Sequence, residues 1–96
     1  MTDPREELHT RLSQHAASIG HISITWNASD GGPRMDVELK TASGDVVDRW
    51  NDWMILGSDE GPTGCEIITN IVRSVFSGRV SGFNQLSWSL IFTVSS

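Results

Sequence analysis

The sequence predicts a two-layer α+β sandwich in the order α-β-β-β-α-β: a four-stranded antiparallel sheet with two helices on one face. Three observations carry this. Two helix-start signatures, Asp3-Pro4-Arg5-Glu6 and Thr63-Gly64-Cys65-Glu66, each precede an apolar pattern of helical period. Three stretches, HISITW, RMDVELK and QLSWSLIFTV, alternate apolar and polar with period two. Turn-rich connectors separate them, and helices gathered on one side of an antiparallel sheet are a standard way to bury both apolar surfaces.

Asp3 caps the first helix, Pro4 fits its first position, and Leu8, Leu12, Ala16 and Ile19 form one stripe, which predicts a helix over residues 4–18. Gly20 is expected to end it in a left-handed turn. Ile22, Ile24 and Trp26 then share one strand face. After the connector NASDGGP, Met35, Val37 and Leu39 share another, which predicts a hairpin with one wet face. Beyond the turn TASGD, the run DVVDRWNDWMIL returns as a third strand. In the second helix Cys65, Ile68, Val72, Val75 and Phe76 keep helical spacing, with Ile67 and Ile71 widening the stripe. In the last strand Leu86, Trp88, Leu90, Phe92 and Val94 alternate with Ser87, Ser89, Ile91 and Thr93.

Ninety-six residues, 38% apolar and 20% charged, suit one globular domain over 1–96 with a single modest core. No apolar run approaches the roughly 20 residues that span a bilayer. MTDPREELH has no apolar stretch of signal-peptide type, and a lone Cys65 excludes an internal disulfide framework. Together these predict a cytoplasmic protein with no membrane partner. The sequon at Asn27-Ala28-Ser29 carries no weight in that setting.

The net charge of −5 is concentrated. Between Asp45 and Glu66 six acids stand against Arg49 alone, and the rest of the chain balances. Such a segment argues against direct nucleic-acid binding, which needs Lys and Arg opposite phosphates. It suits docking on a basic protein surface, and equally a solvated loop that keeps the chain soluble. A double-stranded RNA-binding domain also runs α-β-β-β-α, but it grips phosphates with bases near its second helix, where this chain has Glu60 and Glu66.

Catalytic and metal chemistry find little support. His9 and His15 are six apart on one helix, about 240° around its axis, and His21 lies on a strand, so no pair has zinc-site spacing. Cys65 continues an apolar stripe, although a thiol at a helix N-terminus can be activated. GSDEGPTG has the glycines of a phosphate loop but not its lysine, and Asp59 and Glu60 would repel a phosphate. No catalytic residue, metal ligand or cofactor is expected, and the chain reads as a non-enzyme.

Trp26 and Trp88 fall on the apolar side of clean alternations. Trp50 and Trp53 differ in parity, so a regular strand sends one of them out of the core, whereas a bulge or a helical turn near Asn51-Asp52 would rescue both. An indole exposed among carboxylates is a natural interface anchor, because tryptophan is enriched at hot spots. The expected partner-binding set is therefore Asp45, Asp48, Trp50, Asp52, Trp53, Asp59 and Glu60.

In size and acidity the chain resembles the small phage-encoded inhibitors of bacterial defence, such as anti-CRISPR proteins. The resemblance covers no motif and assigns no residue a role. It implies a stoichiometric inhibitor that blocks a basic, nucleic-acid-binding or other partner surface. The alternatives are an immunity or antitoxin protein that plugs a toxin, and a structural subunit that self-associates through its sheet.

Overall fold

A computed structural model describes residues 3–29, 32–55, 63–81 and 89–95. Its elements are α1 (Pro4–His15), β1 (His21–Ser29), β2 (Gly32–Lys40), β3 (Val46–Trp53), α2 (Gly64–Val75), β4 (Val80–Ser81) and β5 (Ser89–Val94). The fold is α+β with two helices, as the sequence predicts. The sheet, however, has five antiparallel strands in the order β3-β2-β1-β5-β4, and the element order is α-β-β-β-α-β-β. The additional strand is β4, whose Val80 and Ser81 pair with Val94 and Thr93. Two residues are too few for an alternation to register in sequence. The first half of the predicted last strand, with Leu86 and Trp88, lies outside the described residues.

Both helices begin at their capping residues. The Asp3 carboxylate accepts the Arg5 N–H at 2.8 Å, and Thr63 Oγ1 accepts the Glu66 N–H at 3.2 Å. Helix α1 stops at His15, three residues short of expectation, because the chain tightens into a turn in which His15 O accepts from Ser18 and Ile19 N–H. Gly20 does not adopt the left-handed conformation; among described glycines that role belongs to Gly44 and Gly78. Gly20 instead stands at the head of β1, donating to Lys40 O at 2.8 Å and accepting from Val94 N–H at 2.9 Å.

Register places the apolar residues on one side. Ile22 faces Leu39 and Phe92, Ile24 faces Val37 and Leu90, and Trp26 faces Met35. All are buried, and Leu8, Leu12, Ile68, Val72 and Phe76 of the helices pack onto them in one cluster. That covers one face of the sheet. The other carries Ser, Thr and charged side chains together with Trp53 and Ile91, and neither of the described helices packs on it.

Candidate binding surface

Strand β3 lies at an edge of the sheet and decides where each candidate residue points. It starts with a bulge, in which Val46 and Val47 stand against Lys40 before pairing resumes at Asp48 and Leu39. Beyond it the strand is regular. Asp48, Trp50 and Asp52 oppose Leu39, Val37 and Met35, and so face the helices. Arg49, Asn51 and Trp53 oppose Glu38, Asp36 and Arg34, and face away. The bulge sits upstream of the tryptophans, so it leaves their opposite parity intact.

Trp50 is half-buried against the core, with the Arg11 guanidinium 4.6 Å from its ring centre. Arg11 also donates from Nε to Glu7 at 2.6 Å and from Nη1 to both Asp48 oxygens at 3.1 and 3.2 Å. His15 Nε2 lies 3.4 Å from the same Asp48 carboxylate. The hydrogen bond to Glu7, and then the charge of Asp48, hold the Arg11 pKa above its ordinary value. A raised basic pKa stabilises the fold below the unfolded value and is lost only as pH climbs past it, so Arg11 contributes fully at neutral pH. Glu7, Arg11 and Asp48 thus tie α1 to the edge strand. Arg11→Ala is expected to lower unfolding free energy by about 1–2 kcal/mol, since the ties are charge-assisted yet partly open to solvent. Urea titration of both proteins checks this, and an unchanged midpoint would show the tie to be ornamental.

Of the predicted partner-binding set, the described members Asp45, Asp48 and Asp52 do not line up as one exposed acidic patch. Asp48 is engaged by α1. Asp52 is half-buried and accepts the Trp53 N–H at 2.8 Å. Asp45 is exposed in the turn after β2, where its N–H donates to Thr41 Oγ1. Asp59 and Glu60 lie outside the described residues.

Of the two β3 tryptophans Trp53 is the exposed one, at 43% of its full accessibility, with Arg34 stacked 5.0 Å from its ring centre. Next to this pair on the open face Asn51 donates to Asp36, followed by Glu38 between Lys40 (2.9 Å) and Arg49 (3.9 Å). Further across lie Ser23 and Thr25 of β1, then Ile91 of β5, 42% exposed opposite Ser23. Among the described residues of β2 and β3, this face carries Arg34, Lys40 and Arg49 against Asp36 and Glu38, so that stretch does not share the chain's negative balance. Arg34 and Ile91 were not singled out in the sequence. The alternation in RMDVELK marks the parity of Arg34, but its stacking needs the β2–β3 register.

Elsewhere, an open groove of about 650 Å³ runs between the helices, lined by Arg5, Glu6, His9, Thr10, Ile67, Asn70 and Ile71. Ile67 and Ile71, which the widened stripe assigned to the core, are half-buried along it. Among the described residues no three of His, Cys, Asp and Glu gather as a metal site requires. None of the described helices is long and apolar enough to cross a membrane. Comparison with known proteins finds no matching family model, no matching curated protein and no matching solved structure.

Proposed function

We propose that this chain is a non-catalytic protein-binding module of inhibitor type, docking through the uncovered sheet face with Trp53 as its anchor. The observation that carries the proposal is the half-exposed Trp53 on a face without helices, held in place by Arg34. A fixed indole offers large contact area at little entropic cost on binding, which is why such residues become hot spots. The alternating charges around it favour a protein of mixed polarity over a phosphate backbone.

The acidity of Asp45–Glu66 supports the finer part of the proposal, a partner with a basic surface blocked in the manner of small anti-defence inhibitors. Asp45 immediately precedes β3 and Trp53 ends it, roughly 25 Å apart at strand rise. A typical interface of about 800 Å² per partner reaches across that span.

The test begins with affinity capture from the native host, and the captured partner is then titrated with variants. Trp53→Ala should weaken binding by about 2 kcal/mol or more, some 30-fold, while leaving the fold intact. Asp45→Lys should chiefly slow association and flatten its salt dependence. Wild-type affinity and wild-type kinetics in both variants would reject the docking face and the basic partner together.

A further inference from the structure

An eight-residue edge strand is open to pairing with another strand, and proteins that stay soluble block such edges. In an antiparallel strand alternate residues turn both backbone groups to the same side. On β3 the N–H groups of Arg49 and Trp53 are engaged by side chains of the strand itself. Each donates to the carboxylate one residue earlier, Asp48 Oδ1 and Asp52 Oδ1, both at 2.8 Å. Arg49, Asn51 and Trp53 are therefore the residues that face outward along the sheet edge, and two of their three donors are filled from within the chain.

We infer that Asp48 and Asp52 are edge blockers that keep β3 from adding a second copy of this chain. The occupant they exclude follows from the geometry. An antiparallel β3–β3 pair centred on Asn51 would set Asn51 against its counterpart and Trp53 against Arg49. The carboxylates occupy donors that this pair requires, and they would bring four acids to one seam, two from each copy. At the opposite edge β4 is two residues long, so its described part offers little to pair with. This role explains two acids on a strand whose helix-facing positions otherwise hold Trp50, and it stands apart from any partner of the open face.

Asp52 is the cleaner position to test, because Asp48 also holds Arg11. Sedimentation and light scattering would compare wild type, Asp52→Ala and Asp52→Asn from about 10 µM to 1 mM, a range in which exposed edges associate. Asp52→Ala releases the Trp53 N–H and should move the mean mass from that of the wild type towards twice that value as concentration rises. Asp52→Asn keeps an acceptor oxygen over that N–H and should behave as the wild type. In associated Asp52→Ala, the Arg49, Asn51 and Trp53 amides should exchange at least tenfold more slowly than in the dilute protein. The inference is overturned if Asp52→Ala keeps the wild-type mass throughout. It is overturned equally if Asp52→Asn associates as strongly as Asp52→Ala, or if association leaves those three amides exchanging at their former rates. None of these outcomes depends on whether Trp53 anchors a partner.

Discussion

Phe76→Ala is expected to cost about 3–5 kcal/mol. Phe76 is fully buried and sits at the C-cap of α2. Its N–H bonds Val72 O at 3.2 Å, and its carbonyl accepts both the N–H and the Nε of Arg79, at 3.0 and 3.1 Å. Directly after it Ser77 takes a positive φ of 53° and Gly78 one of 79°, and Gly78 N–H closes on Arg73 O at 2.9 Å. The ring thus fixes the point at which the chain leaves α2 and turns into β4. Removing it leaves a cavity where the helix layer meets the sheet, and it loosens a turn that already holds a non-glycine residue in a left-handed conformation. A domain of this size has roughly 5–14 kcal/mol of stability in all, so the melting temperature should fall by roughly 15–30 °C. Calorimetry checks this, and a fall of only a few degrees would mean that the ring is not packed as described.

Gly20→Ala should cost about 3 kcal/mol, the upper end of what overpacking does. A Cβ built on Gly20 would lie 2.5 Å from Ala42 N and 2.6 Å from Ala42 Cα. Both are backbone atoms, so no side-chain rotation relieves the clash. Gly20 cannot retreat either, because its N–H and carbonyl hold Lys40 and Val94 on the two neighbouring strands. The added methyl must therefore push β2 away from β1 at its end or break one of those bonds. Urea unfolding of Gly20→Ala against wild type measures the cost; equal midpoints would mean that the two segments do not approach so closely.

What could be read in the sequence was whatever depends on neighbours along the chain. Asp3 and Thr63 start their helices through hydrogen bonds that span two and three residues, and those starts are where the pattern puts them. The alternations in HISITW and RMDVELK fix which residues face the core, and Ile22, Ile24, Met35, Val37 and Leu39 are all buried there. Opposite parity at Trp50 and Trp53 was equally legible, because it needs only a regular strand. Long-range placement was not. Arg11 and Asp48 are 37 residues apart, and their meeting depends on which strand forms the edge and which helix lies over it. The acids of β3 thus look like a partner patch in sequence, yet in the fold two of them bond within the chain. Gly20 has the position of a helix terminator, but it is required by a close approach to Ala42 that no local pattern encodes.

Mapping the complex tests the central proposal most directly. Amide exchange and side-chain chemical shifts would be recorded for the chain alone and with its captured partner. Docking through the open face predicts changes at the Trp53 indole, Arg34, Asn51, Asp36 and Thr25, with the helix groove around His9 and Ile71 unaltered. A footprint confined to that groove, with Trp53 unchanged, would contradict it.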